Sequence, residues 1–238
     1  MISAPAGVPP AIWAALDTVL DPELDEPITG LDFVASCAVE GSVPTLTVRV
    51  GLRLPTFFCA PNFSFLMVAD AYDAVSAVDG VGHVEVSLAD HAHAAEINGG
   101  VAAAAGFVES FSGEATAELD ELRRVFLAKS CVAGQDRVAR PLVDAGAGPD
   151  QLADTTLGEV PDSVDLRRLR ARRSRIGLPA GDDAPLLIHE DGSPVTAAQV
   201  PLHLRRARLT RTGIETNGEY CKALLHTRYP TPVPIMVP

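Results

Sequence analysis

Paired cysteines are missing from this chain. Its four thiols, at Cys37, Cys59, Cys131 and Cys221, form no CxxC spacing, which excludes a zinc ribbon and a small disulfide scaffold. Long apolar runs are missing as well, so no membrane span is expected, and residues 1–10 lack the basic region and apolar core of a secretory leader. No phosphate-cradling loop of the Walker type, no dinucleotide fingerprint and no internal repeat occurs. Basic residues are scarce: the net charge of −12 argues against general nucleic-acid binding. These absences point to a soluble protein of a reducing cytoplasm, where a free thiol can hold metal.

What is present is apolar substance. With 47% hydrophobic residues in 238, the chain can bury a real core, as one large or two small domains. Charge is uneven along it. Residues 1–150 carry 7 Lys and Arg against 21 Asp and Glu, net −14, and residues 151–238 carry 12 against 10, net +2. Such asymmetry fits two modules, or one module with an appendage that meets a different partner.

The organising stretch runs from Thr45 to Leu88. Leu46, Val48, Val50, Leu52 and Leu54 take every second position, as a half-buried strand requires. Pro55-Thr56-Phe57-Phe58-Cys59-Ala60-Pro61 then breaks the alternation, because two prolines remove amide donors and restrict the backbone. A helix over 63–77 and a short strand over 83–88 follow. Cys59 thus stands just ahead of a helix N-terminus, where aligned peptide dipoles favour a thiolate, the form that soft metals and sulfide-bridged clusters bind. Simple packing of the thiol between Phe57 and Phe58 is the alternative.

Ahead of the strand stand Leu20-Asp21-Pro22-Glu23-Leu24, then Ile28, Leu31 and Val34. This order of Asp-Pro-Glu, hairpin, cysteine loop, helix and strand, over about residues 8–90, resembles the family called domain of unknown function 59. Its SufT-like and PaaD-like members act in assembling or delivering iron-sulfur clusters. The resemblance implies an α+β fold, a small mixed sheet with helices of the iron-sulfur cluster assembly type, followed here by a mainly helical C-terminal region. It implies that Cys59 holds iron or an iron-sulfur cluster transiently, with Asp21 and Glu23 as acids beside it and Thr56 as a hydroxyl neighbour. Two departures stand out. Gly30-Leu31-Asp32-Phe33-Val34 replaces a stretch like Asp-Leu-Gly-Leu-Val, and three residues separate Pro55 from Cys59.

The remaining chain reads as follows. A helix over 11–20 covers the sheet, and a strand over 33–39 carries Cys37, read as a core residue. After the last strand, an extended 88–93 segment would project His91 and His93 from one face beside Asp90 and Glu96, a candidate metal pair lacking a fixed third ligand. Asn98-Gly99-Gly100 punctuates the chain. An amphipathic helix is expected over 114–132, ended by Cys131 and Gly134, with a further short helix over 135–145 broken by Pro141. Residues 146–162, rich in Gly, Pro and Asp, read as a linker. Ser163 caps an arginine-dense helix whose Arg167, Arg168, Arg170, Arg172, Arg173 and Arg175 suit a solvated face or an acidic partner. A strand over 186–189, a basic helix over 196–211, a short element over 219–226 and an extended proline-rich end complete the chain. Cys221-Lys222-Ala223-Leu224 looks like a tetrapeptide in the tail of PaaD-like proteins, without the paired cysteines around it.

These readings divide the chain into an iron-sulfur cluster assembly-like domain, residues 1–95, and a mainly helical extension, residues 96–238, basic from about 163. They favour an accessory protein for metal-centre maturation, with a client metalloenzyme or assembly proteins as partners. A chaperone-like adaptor for a soluble di-iron monooxygenase, binding no metal itself, is the alternative. Cysteine-nucleophile catalysis with His83, His91 or His93 ranks last, since no oxyanion-hole motif accompanies it, and no enzyme activity is expected. Oligomeric state stays open, a homodimer included.

Overall fold

In the computed structural model, residues 7–230 are described. Of these, the first of two units takes residues 7–119 and 217–230, the second residues 120–216. The chain is α+β, a small three-stranded mixed sheet with helices and a helical C-terminal region. No described helix is long and apolar enough to cross a membrane.

The first unit opens with α1, Pro10–Leu16, whose proline sits at the first turn where its missing amide costs nothing. This helix is shorter than its apolar spacing suggests. Val19 and Leu20 leave it to pair instead, Ile28 N donating to Val19 O at 2.9 Å and Leu20 bridging Pro27. Strands β1, Val34–Glu40, and β2, Leu46–Leu52, run antiparallel, while β2 and β3, Val81–Leu88, run parallel. The parallel step is made by α2, Pro61–Ser76, as a parallel pair demands a crossover. Val48, Val50, Leu52 and Leu54 are buried beside Ile12, Leu16, Ile28, Leu31 and Phe33, so the alternation in β2 marks the core face. Cys37 lies buried opposite Val50, as expected of a core residue.

Beyond β3, Asn98-Gly99-Gly100 does not punctuate the chain but lies inside α3, Ala94–Ala102. Asn98 is spent on the sheet, its side chain accepting from Leu88 N at 2.8 Å and donating to Leu88 O at 3.0 Å. Gly100 admits Ser110, whose Oγ would stand 1.9 Å from a Cβ there; Ser110 ends the short α4, Phe107–Ser110.

The second unit corrects several expectations. One helix, α5, Asp120–Asp144, replaces the predicted pair and continues through Pro141. Proline here interrupts only the last turn, which closes with Ala145 N on Pro141 O at 3.1 Å. The presumed linker is structured: it contains α6, Pro149–Asp154, and Leu152 and Leu157 are buried. Helix α7, Val164–Arg175, starts where Ser163 was expected to cap it, Oγ accepting from Leu166 N at 3.1 Å. The 186–189 segment is no strand but carries an isolated bridge between Ile188 and Pro194. The last two expected elements merge into α8, Val200–Arg228, whose residues from Asn217 onward belong to the first unit. The proline-rich end after residue 230 lies outside the described residues.

Polar groups tie this unit together. Arg173 is fully buried and donates to the carbonyls of Leu186 at 2.6 Å, Pro185 at 2.8 Å and Pro179 at 3.4 Å. Buried Gln135 accepts from Ile188 N at 2.7 Å, and buried Asp136 pairs with Arg211 at 2.7 Å and Arg140 at 3.2 Å. The arginine run is therefore only partly a solvated face: Arg172 and Arg173 are buried, Arg167 pairs with Asp162, and Arg170 with Asp182 at 2.7 Å. Guanidinium forks reach backbone carbonyls that no apolar side chain would satisfy.

Candidate functional site

Two turns and a helix face build the site in the first unit. The 21–26 turn is closed by Asp21 N donating to Glu26 O at 3.0 Å, and Asp25 adopts a left-handed φ of 56° inside it. Asp21 caps the turn from within, its Oδ1 accepting from Leu24 N at 2.8 Å and Glu23 N at 2.9 Å. Burial pushes its carboxyl up to about 6, against the pull of those two amides, with the charges of Glu23 and Glu26 adding to the rise. Asp-Pro-Glu does not end α1, which stops at Leu16, but frames a buried acid.

The substituted turn before β1 resolves in the same terms. Asp32 takes the left-handed conformation, φ 60°, where glycine is the usual choice, and its carboxylate meets His226 Nε2 at 3.2 Å.

The cysteine loop leaves β2 through buried Leu54 and Pro55 and enters α2 at Ala60. Cys59 is half-buried, one residue ahead of that N-cap. The phenyl rings expected to enclose it turn outward: Phe58 is 79% exposed and Phe57 47%, packed edge to face with centroids 4.9 Å apart. The thiol instead meets Thr56 Oγ1 at 3.3 Å.

Behind the loop stands His91. The chain turns at Asp90, φ 50°, so 88–93 is not extended and the two imidazoles do not project side by side from a strand. His91 is buried, its Nε2 lying 2.8 Å from Cys59 O and 3.3 Å from Ser64 Oγ, while Nδ1 accepts from His93 N at 3.1 Å. Burial lowers its pKa, and His93 and Arg228 add to the depression against the bond to Cys59 O. Both ring nitrogens are engaged by the chain. His93 leans on Phe111, ring centroids 5.6 Å apart, with the His91 ring 6.1 Å away. Asp90 does not join them but accepts from Tyr229.

Sequence reasoning set one participant aside. Cys221, in the part of α8 that belongs to this unit, is half-buried, and burial raises its thiol to about 11 with further contributions from Asp21, Cys59 and Glu23. Asp21, Cys59 and Glu23 are thus electrostatic neighbours of Cys221. The tetrapeptide around Cys221 was the one available signal. Among the described residues no group of three or more His, Cys, Asp and Glu side chains stands in an array that holds a metal ion.

Comparison with known proteins bears on the same segment. No curated protein and no solved structure matches the chain. A family model described as iron-sulfur cluster assembly protein matches residues 10–88, which take in the Asp21–Glu26 turn, all three strands and the cysteine loop, with residues 89–238 outside the match. By that match, residues 10–88 are similar to the iron-sulfur cluster assembly proteins.

Proposed function

We propose that this protein is an accessory factor of iron-sulfur cluster assembly, holding iron or a cluster transiently at Cys59 and passing it to a client metalloenzyme or another assembly protein. The observation that carries the reading is a half-buried Cys59 thiol on a loop that Phe57 and Phe58 do not enclose, within the segment that matches the family. A sulfur sealed between Phe57 and Phe58 would not serve; this one is half-buried and edged by the Thr56 hydroxyl. The cargo is a substrate of the protein, bound and released without turnover. The first unit then acts as the cargo module and residues 120–216 as the part that recognises the client, in the cytoplasm.

Anaerobic reconstitution with iron and sulfide tests this. Wild type should bind both, and Cys59→Ala should lose at least about nine-tenths of the bound metal; equal, negligible binding in the two sinks the reading. The exposed Phe57 and Phe58 rings favour a second one, a chaperone-like adaptor for folding or assembly of a di-iron monooxygenase that binds no metal, and that result would select it.

A further inference from the structure

Residues 218, 221, 222 and 225 of α8 fall at spacings of three and four, so they share one helix face. Three of them are fixed against the site. A Cβ at Gly218 would stand 3.2 Å from Glu26 Oε1, Lys222 Nζ pairs with Glu26 Oε2 at 2.9 Å, and Leu225 is buried in the core of the sheet. One turn further, Arg228 Nη1 donates to Leu54 O at 3.0 Å. Glu26 closes the turn that Asp21 opens, and Leu54 leads into the cysteine loop. The helix face is therefore pinned to both flanks of the site, and Cys221 is the side chain between the pins. It packs on the same core as Cys59.

Resting on the function proposed above, we infer that Cys59 and Cys221 hold the cargo together, as two thiolate ligands to one iron. Each Fe–S bond forms as its thiol loses a proton to solvent, with no electron transferred. A four-coordinate iron then keeps two positions for the cluster's own sulfide or for ligands of the donor or acceptor protein. This agrees with the lack of a three-ligand array in the described residues and suits cargo that must leave.

The test uses the full chain under anaerobic conditions, as wild type, Cys59→Ala, Cys221→Ala and Cys221→Ser, with circular dichroism to show that each folds. Two readouts are taken: the rate at which a chelator strips reconstituted iron, and uptake of phenylarsine oxide, which binds stably only across two neighbouring thiols. We expect at least tenfold faster iron loss in both Cys221 variants, and one equivalent of the arsenical on wild type against none on any variant. Wild-type iron retention in Cys221→Ala, or undiminished arsenical uptake, overturns the inference while leaving Cys59 as the assembly ligand. Absence of iron from wild type removes the assembly reading and the inference with it.

Discussion

The imidazole of His91 clamps the carbonyl of Cys59 at 2.8 Å across 32 residues of chain. Because Nδ1 accepts the His93 amide, the ring proton lies on Nε2 and is donated to that carbonyl. The histidine is thus neutral, and it holds the backbone of the residue whose thiol faces the site.

Removing the clamp should free the loop. In His91→Ala the Cys59 carbonyl loses its partner, at a cost of about 1–3 kcal/mol, and iodoacetamide should modify Cys59 several-fold faster. An unchanged rate would show that the loop is held by other means. Acid should act in the same direction. The depressed pKa means that stability from the neutral ring is present above its ordinary value of 6.5 and is lost as pH falls through the lowered one.

Asp21 should show the opposite pH dependence. Its carboxyl is raised from 3.8 to about 6, so its stabilising effect is complete below the ordinary value and lost as pH rises through about 6. Asp21→Asn keeps an oxygen to accept from Glu23 N and Leu24 N but carries no charge. Its stability relative to wild type should therefore improve by on the order of 2–3 kcal/mol between pH 4 and 7, in urea melts at each pH. A difference that stays flat with pH would refute the buried-acid assignment. Iron loading should weaken in the same variant, since the site loses an anion.

In the second unit, Arg173→Met should destabilise by about 2–5 kcal/mol, because two or more buried carbonyls lose their donor. Arg173→Lys should not restore it, since a single ammonium cannot reproduce the planar fork. Chemical denaturation followed through this unit decides the matter; wild-type stability of the methionine variant would contradict the role given to the side chain.

Phe58→Ser should leave stability within about 0.5 kcal/mol, given how fully the ring is exposed. Cargo transfer to an acceptor protein should slow at least threefold if the Phe57 and Phe58 rings meet the partner. Transfer at the wild-type rate would assign the exposed rings no part in docking.

Local patterns carried much of the fold in the sequence itself. Alternation in Leu46–Leu52, prolines at 55 and 61, and the Ser163 cap each act within a few residues, so strand, cysteine loop and helix starts were legible there. Thr56 beside Cys59 was legible for the same reason, being only three residues away.

Tertiary packing decided the rest, because burial and long-range partners outweigh local preference. Leu152 and Leu157 make core of a stretch whose glycines and prolines suggested a linker, and Gly213 and Gly218 lie inside a continuous helix despite their cost there. Arg173 became an interior staple only because carbonyls far along the chain converge on it. The sequence alone determined that Cys59 would stand on a loop before a helix. Only the folded chain decided that His91 would grip its backbone and that Cys221 would share its ground, since a thiol's neighbours are set by how helices and turns pack and no spacing rule reaches that far.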